Sequence, residues 1–180
     1  MGNSWVMVVD AQDRFIVWDM RYKRFTVLDN DGTYLDTVSY QPIVQAMQAS
    51  VTGHLYVEAH ESDLTQRPWR TLVRLVRFDS SLQTAVAIDS LQVVDSQILP
   101  SEKSMITVTL PYTEEMAWAA TPDGGVVVGQ TQSHRLRRYS PDLELVQELE
   151  LGAQPVPLDE ADHERYLASF RTEDQAFLAL

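Results

Sequence analysis

The chain has no cysteine among its 180 residues, which excludes a disulfide framework, a cysteine-ligated zinc site and a thiol nucleophile. It also lacks any run of the ~20 apolar residues that cross a bilayer, so we expect no membrane insertion. The start MGNSWVMVVD has neither the charged segment nor the long apolar segment of a signal peptide. We expect a cytoplasmic location if Met1 is the native start, and a periplasmic or secreted one if the chain is a fragment.

Basic residues are scarce, because 14 Lys and Arg stand against 26 Asp and Glu and give a formal net charge of -12. Nucleic acids and anionic membranes are held mostly by Lys and Arg, so we expect no nucleic-acid partner. Catalytic motifs are missing as well, since the chain has no Gly-x-Ser-x-Gly elbow and no His-Glu-x-x-His pair. Its four histidines are isolated from one another in the sequence. The sequence therefore predicts no catalytic residue and no cofactor.

What the chain does contain is a series of short apolar runs separated by turn residues. VLDNDGTYLDTV (27–38) places a tight Asp-Asn-Asp-Gly turn between two such runs, and AATPDGGVVVGQ (119–130) is built similarly. Runs of this kind are typical of antiparallel β structure. Three units, at about 5–40, 43–91 and 106–151, repeat the order strand, turn, strand, polar loop, strand, short turn, strand.

Repeats of about 40 to 50 residues with four strands each predict an all-β fold, a β-propeller of four-stranded antiparallel blades over residues 1–150. We attribute the irregular spacing to insertions in the polar loop 61–70 and in the connection 92–115. A β-sandwich is the alternative, but three units with matched turns fit it poorly.

The last 30 residues, 151–180, differ in kind from the repeats. Two prolines open the segment and predict a loop, and apolar residues at helical spacing then predict an amphipathic helix packed on the β body. Asp159 is placed to cap its first turn, with Asp162 three residues on. A helix that binds a partner is the alternative.

The segments DRFIVWDMRYKRFTVLDNDGTYLDTV (13–38) and TPDGGVVVGQTQSHRLRRYSPDLELVQEL (121–149) resemble repeats of the six-bladed NHL-type and TolB-like β-propellers, as in bacterial members of unassigned function. Departures from the family pattern are Gln12-Asp13, Ser80-Ser81 and Leu143, where glycine turns are usual. The resemblance implies binding or scaffolding more often than catalysis. It also implies that three blades are half of a six-bladed ring.

The basic residues are unevenly placed, since ten of the 14 lie in the loop between strands two and three or in strand three of a unit. In a propeller these loops share one face, so we predict a loop face that binds a protein, a peptide or an anionic ligand. The candidate binding residues are Arg21, Tyr22, Lys23, Arg24, Trp69, Arg70, His134 and Arg135. The alternative is that the arginines pack between blades and pair with the surplus acids.

An enzymatic alternative follows from the lactonase-like and esterase-like members that the resemblance brings in. Such a hydrolase would hold a divalent metal such as calcium at the channel mouth. The candidate ligands are Asp10, Asp19, Glu58 and Glu115, which begin or end predicted strands. Solvated strand ends and turn hydrogen bonds explain the same carboxylates.

Three blades leave two apolar blade faces uncovered, because closed propellers have about four to eight blades. We therefore expect either a homodimer that completes a six-bladed ring or a chain that is the half of a longer protein. The C-terminal helix, folded back across one end, is a further way to cover a face.

Overall fold

The computed structural model describes residues 5–63, 65, 69–100, 105–109, 114–131, 133–152, 159–162 and 164–165. They form three antiparallel sheets in which hydrogen-bonded neighbours follow chain order. Sheet I contains β1 (Trp5–Val9), β2 (Phe15–Asp19), β3 (Arg24–Leu28) and β4 (Tyr34–Ser39). Sheet II contains β5 (Ile43–Ala49), β6 (Leu55–Asp63), β7 (Trp69–Phe78), β8 (Ala85–Pro100) and β9 (Met105–Thr109). Sheet III contains β10 (Met116–Ala120), β11 (Val126–Gln130), β12 (Arg135–Tyr139) and β13 (Leu145–Glu150).

The turns repeat from sheet to sheet in backbone conformation as well as in position. In the first turn of each sheet the left-handed residue is Asp13 (φ 57°), Gly53 (84°) or Gly124 (88°). In the third turn of sheets II and III, Leu82 (φ 61°) and Leu143 (66°) take the place that Gly32 (82°) has in sheet I. The departures from the glycine pattern therefore change the residue but not the turn, even though a left-handed conformation is unfavourable for leucine.

Each sheet packs face to face on its neighbour in the chain. Side chains alternate along a strand, so we call the face toward the following sheet the front and the opposite face the back. The front of sheet I buries Ile16, Trp18, Phe25 and Val27 against the back of sheet II, which contributes Leu55, Val57, Ala59, Val76 and Phe78. The front of sheet II buries Tyr56 and Leu75 against Val126 and Val128 on the back of sheet III.

Sheet II is thus buried on both faces, whereas a sandwich buries one face of each of two sheets. The first strands also lie together, because β5 contacts both β1 and β10. Sheets stacked around an axis with their first strands innermost are the blades of a β-propeller. The predicted fold class is confirmed, with three blades in the part of the chain that the structure describes.

Sheet II is longer than the sequence predicted. The predicted loop 61–70 contains the end of β6, which continues to Asp63, and the start of β7 at Trp69. The predicted connection 92–115 contains the end of β8 and all of β9. The polar residues pair across the strands: Ser62 Oγ lies 2.8 Å from Thr71 Oγ1 and Arg74 Nη1 lies 3.0 Å from Glu61 Oε1. Such cross-strand pairs let a polar sequence extend a hairpin.

The predicted cap in the C-terminal segment is present. Helical residues occur at 160–162 and 164–165, and Asp159 Oδ1 accepts the Asp162 N–H at 2.8 Å. The Asp159 N–H donates in turn to Asp162 Oδ2 at 3.4 Å, which makes the pair a reciprocal capping arrangement. The remainder of the predicted helix, with His163, and the proline-rich loop at 153–158 lie outside the described residues. No helix in the described part of the chain is long and apolar enough to cross a membrane.

Candidate functional site

The predicted binding surface is the end of the sheets that carries the connections after β2, β6 and β11, which we call the loop face. Because the strands are antiparallel, the first turns, at Asp10, Ser50 and Thr121, lie at the opposite end. Loops held by rigid sheets are common places for binding residues. The candidate binding residues of the three sheets lie in these connections or at the start of the strands that follow them.

In sheet I the loop between β2 and β3 forms a compact group of three cations and one aromatic ring. We call Arg21, Tyr22, Lys23 and Arg24 the Tyr22 cluster. Tyr22 is 61% exposed, and the Cζ atoms of Arg21 and Arg24 lie 5.7 and 4.9 Å from the centroid of its ring. Both guanidinium groups are within the ~6 Å at which a cation attracts a ring face. The ring therefore holds two positive charges together on the surface.

The backbone of this loop is fixed by the residue that ends β2. Asp19 Oδ1 accepts the backbone N–H groups of Arg21 at 3.0 Å and Tyr22 at 3.2 Å. Lys23 takes the left-handed conformation, with φ 49°. Asp19 thus acts as a turn former, and its side chain organises the Tyr22 cluster.

The three cations of the Tyr22 cluster form no ion pair with the acids that the structure describes. The Nε atom of Arg24 is buried and, within the same described part, has no hydrogen-bond partner. Apart from Asp19, which bonds the backbone of this loop, no described acid is hydrogen-bonded to the cluster, and its cationic groups are placed to contact an anionic group.

The other candidate binding residues are placed differently. Arg135 reaches Glu148 at 3.6 Å and Glu150 at 3.2 Å, and the carbonyl of His134 accepts the Leu151 N–H at 2.7 Å. Arg70 is exposed and pairs in register with Asp63 at the end of the β6–β7 hairpin. Trp69 begins β7, and its side chain lies outside the described part, as does Arg67.

Several other arginines follow the alternative in which they pair with acids or join sheets. Arg74 pairs with Glu61, Arg138 with Asp123 at 2.6 Å, and Arg137 with Asp89 at 3.4 Å and Glu148 at 3.6 Å. The Arg137–Asp89 pair joins sheet III to sheet II. Within the described part of the chain, the paired arginines Arg74, Arg137 and Arg138 are therefore distinct from the Tyr22 cluster.

The four candidate metal ligands do not meet in one place. Asp10 and Asp19 lie at opposite ends of β2, roughly 17 Å apart at ~3.4 Å per residue. Asp10 is occupied by its own turn, since Oδ1 accepts the Gln12 and Arg14 N–H groups and Oδ2 accepts Arg14 Nε at 2.8 Å. Burial alone would raise the pKa of Asp10, but the hydrogen bonds from Arg14 and the turn outweigh it and lower the pKa.

Glu115 lies just before β10, where its backbone N–H donates to Thr131 Oγ1 at 3.0 Å. Among the residues that the structure describes, no group of three or more His, Asp or Glu side chains is arranged to hold a metal ion. The predicted ring of Asp10, Asp19, Glu58 and Glu115 is therefore not assembled in this part of the chain.

Glu58 belongs to a three-residue group that sequence reasoning missed. His60 Nε2 lies 2.8 Å from Glu58 Oε1, and Trp118 Nε1 donates to Glu58 Oε2 at 2.8 Å, which links sheets II and III. The hydrogen bond from His60 lowers the pKa of Glu58 most, burial raises it, and the bond from Trp118 lowers it again. The Glu-x-His spacing, which puts Glu58 and His60 on one strand face, is visible in the sequence. Trp118 lies 60 residues further along the chain, so its indole could not be assigned to the group.

The lowered pKa predicts a pH-dependent contribution of Glu58 to stability. A carboxylate with a depressed folded pKa stabilises fully above its unfolded pKa, here 4.5, and loses that effect as pH falls through the folded value. We expect Glu58→Gln to lower the free energy of unfolding at about pH 5, and the difference from wild type to shrink as the pH falls below 4.5.

Urea titrations from pH 6 to about pH 2 measure this difference. The matched comparison repeats the substitution in a Trp118→Phe background, where one donor to the Glu58 carboxylate is gone. The pH-dependent part of the stability difference between Glu58→Gln/Trp118→Phe and Trp118→Phe should be smaller than that between Glu58→Gln and wild type. A difference between wild type and Glu58→Gln that does not vary with pH would contradict the assignment.

A concave region lies at the end of the sheets opposite the loop face. This open cleft of about 540 Å³ is lined by the ends of β1, β5 and β10 and by the turns that follow β5 and β10. Gln48 Oε1 accepts the Ala120 N–H at 2.8 Å across it. Its lining is apolar or neutral, so it offers no charged group to a ligand.

No family model matches this chain, and no curated protein matches it in sequence. Among solved structures it is similar to a protein of unknown function from Bacteroides caccae, with a TM-score of 0.38 and 11% identity over 88% of this chain and 52% of that one. Virginiamycin B lyase from Staphylococcus aureus gives a TM-score of 0.29 and 6% identity over 84% of this chain and 71% of the lyase.

A further protein of unknown function, from Bacteroides thetaiotaomicron, gives a TM-score of 0.31 and 11% identity over 79% of this chain and 42% of that one. The chain spans about half the length of the two Bacteroides proteins, at 52% and 42%. All three TM-scores are low, so the propeller assignment rests on the three stacked sheets. The resemblance to six-bladed NHL-type and TolB-like propellers stays a prediction.

Proposed function

We propose that this chain is a non-enzymatic binding module whose loop face holds an anionic group of a protein or peptide partner. The single observation that carries the proposal is the Tyr22 cluster. It combines an exposed aromatic ring with two guanidinium groups within 5.7 Å of the ring centroid and a neighbouring lysine. Exposed Tyr and Arg side chains are the residue types that contribute most to protein interfaces.

The overall charge narrows the chemistry of this partner. A chain of net charge -12 repels an extended polyanion, so the attraction of three local cations acts over a short range only. A guanidinium group donates two parallel hydrogen bonds to a carboxylate or a phosphate. The partner that fits is therefore a short acidic or phosphorylated peptide segment that contacts the loop.

The propeller scaffold explains how such a loop can bind without large ordering costs. Asp19 holds the backbone of Arg21 and Tyr22, and β2 and β3 fix both ends of the loop. A binding group that is already ordered loses less conformational entropy on association. Tyr22 and its flanking arginines are therefore presented in advance of binding.

The test replaces Arg21, Lys23 and Arg24 by Ser and uses a rhodamine-labelled hexaglutamate peptide as the probe, read by fluorescence anisotropy. We expect binding to weaken about 10- to 100-fold at low salt, since the exposed Arg21 and Lys23 and the half-buried Arg24 each contribute up to ~1 kcal/mol. The loss should diminish as salt rises, and the melting temperature should change by no more than about 2 °C.

The matched control replaces Arg74, Arg135 and Arg165 by Ser, which removes the same charge from arginines that already pair with acids. Its affinity for the peptide should stay within about threefold of wild type. Equal weakening by both triple variants would mean that only net charge matters. Unfolding of the Arg21/Lys23/Arg24 variant would mean that these residues are structural, and either result would overturn the proposal.

A further inference from the structure

The outermost faces of the three-sheet stack are apolar and repeat the residues of its buried junctions. We propose that the back face of sheet I binds the front face of sheet III of a second copy of this chain, and that a twofold axis makes this junction twice. Two copies would then close a ring of six sheets. The inference concerns assembly and does not depend on the proposed ligand.

The back faces of the three sheets can be compared position by position, because the first-turn hydrogen bonds Asp10–Arg14, Ser50–His54 and Thr121–Gly125 align them. Phe15 and Val17 of β2 correspond to Leu55 and Val57 of β6 and to Val126 and Val128 of β11. The residues in β6 and β11 are at most 1% exposed because the preceding sheet covers them.

In sheet I the same face is open within the described part of the chain. Met7 is 58% and Val9 52% exposed, whereas Met47, the counterpart of Met7 in sheet II, is 7% exposed. Phe15 and Val17 are partly exposed. An apolar face of this kind is unfavourable in water and is typical of a surface that another sheet covers.

The front faces give the matching result at the other end of the stack. Ile16 and Phe25 in sheet I correspond to Tyr56 and Leu75 in sheet II, and all four are buried. Their counterparts in sheet III are Val127 and Leu136, which stay partly exposed, and Ala117, Ala119 and Leu149 on the same face are exposed. The front of sheet III thus has the small and apolar residues that a following sheet would cover.

A recurring arginine contact indicates what the covering sheet must look like. Arg14 Nη2 of sheet I donates to the carbonyl of Ser80 at 2.7 Å, and Arg77 Nη1 of sheet II donates to the carbonyl of Pro141. Ser80 and Pro141 are the same residue of the third turn of their sheets, since they follow Asp79 and Ser140, which open those turns. Each junction therefore joins an arginine, from the first turn of sheet I or the third strand of sheet II, to the third turn of the next sheet.

Sheet III carries an arginine at the matching position for the proposed junction with the partner subunit. Arg138 occupies the position of Arg77 one sheet later, and it now pairs with Asp123 at 2.6 Å. The matching carbonyl in sheet I belongs to Asn30, which follows Asp29 in the Asp29–Gly32 turn. We therefore expect Arg138 of one copy to reach the carbonyl of Asn30 of the partner subunit.

The ring geometry selects a second copy as the occupant. Closed propellers have about four to eight blades, so three blades and three more make a closed ring. A twofold axis pairs the front of each sheet III with the back of each sheet I, so that every exposed face finds a complementary one. At the internal junction, Val8 of sheet I and Met47 of sheet II meet in one buried cluster. Their counterparts at the proposed junction are Ala119 and Met7, which should therefore face each other. The charge-swap pair Met7→Lys and Ala119→Glu tests this contact.

Light scattering coupled to size exclusion at micromolar concentration should give twice 20.5 kDa for wild type. Met7→Lys alone and Ala119→Glu alone should each elute as monomers, because each variant places two charges in the ring, one at each junction. An equimolar mixture should recover the dimer, since it forms one wild-type junction and one junction with a Lys–Glu pair. Val51→Lys, at a 70% exposed turn residue, is the control and should remain dimeric.

Circular dichroism on each variant at high dilution checks that the single sheet stack is still folded, since both substituted side chains are exposed. A wild-type monomer would overturn the proposal, because the faces would then be covered within the chain or by something else. An Ala119→Glu dimer beside a Met7→Lys monomer would indicate contact between two copies of sheet I. Species that grow beyond the dimer with concentration would indicate head-to-tail association that does not close. Each of these results contradicts the twofold ring.

Discussion

Replacing Trp18 by Ala is expected to lower the free energy of unfolding by about 3–5 kcal/mol. Trp18 is 1% exposed at the centre of the junction between sheets I and II. Its ring centroid lies 5.1 Å from that of Phe25 and 6.2 Å from that of Tyr40, so the substitution removes aromatic contacts and leaves a large cavity. A loss of this size is a large part of the ~5–15 kcal/mol that stabilises a typical domain.

Urea denaturation at one fixed protein concentration measures the effect, since any association would add to the apparent stability. Trp18→Phe is an informative comparison because the Trp18 indole N–H is buried and, among the described residues, has no acceptor. Phe keeps most of the ring and removes that unpaired donor, so we expect a loss below about 1.5 kcal/mol. Tyr34→Ala, at a residue that is 60% exposed, should change stability by less than about 0.5 kcal/mol.

A Trp18→Ala variant within about 1 kcal/mol of wild type would contradict the packing of sheets I and II. The same result would remove the main support for the propeller stacking, because Trp18 makes its contacts at this junction.

Gly125→Ala is the second substitution with a large expected effect. A Cβ at Gly125 would lie 2.2 Å from the carbonyl oxygen of Tyr139 and 3.1 Å from Thr121 Oγ1. The first of these neighbours is backbone at the start of the β12–β13 turn, so it cannot rotate away. We expect a loss at or above the upper end of the ~1–3 kcal/mol that overpacking costs.

Two other glycines allow the steric clash of an added Cβ to be distinguished from the cost of a left-handed backbone conformation. Gly32 has open space around a Cβ but a φ of 82°, so Gly32→Ala should cost only the ~1–2 kcal/mol of a left-handed alanine. Gly152 also has no atom within 4 Å, and Gly152→Ala should be nearly neutral. Thermal or urea unfolding of the three variants should rank the losses as Gly125 above Gly32 above Gly152. If Gly125→Ala instead unfolds like Gly152→Ala, the close approach of the two turns is not a constraint.

The loop face illustrates how far sequence reasoning reached into the candidate site. Arg21, Tyr22, Lys23 and Arg24 are contiguous, so their grouping was predictable, and the structure adds the contacts of both guanidinium groups with the ring. Arg135 was named for the same reason, but Glu148 and Glu150 on the next strand pair with it. Strand register decides which acids meet which arginines, and register depends on the assembled sheet.

Glu58 is the opposite case. It is a candidate metal ligand in the sequence analysis as a residue at the end of a strand, but the structure places it inside β6, between His60 and Trp118. The hydrogen bond to the indole joins two sheets, so it depends on how blades stack. A single strand carries no information about that partner.

The sequence by itself determined the local structure of this protein. Apolar alternation set the strands of sheets I and III, Asp and Gly set turns such as Asp29–Gly32, and Asp159 set the cap with Asp162. These features depend on neighbours within a few residues, whose backbone preferences act before any packing. Tertiary structure decided the burial of Leu82 in the core, the extension of β8 to Pro100, and the arginine contacts with the carbonyls of Ser80 and Pro141. Each of these requires strands or blades far apart in the chain to be in contact, and only the stacked sheets supply the burial and hydrogen bonds that stabilise them.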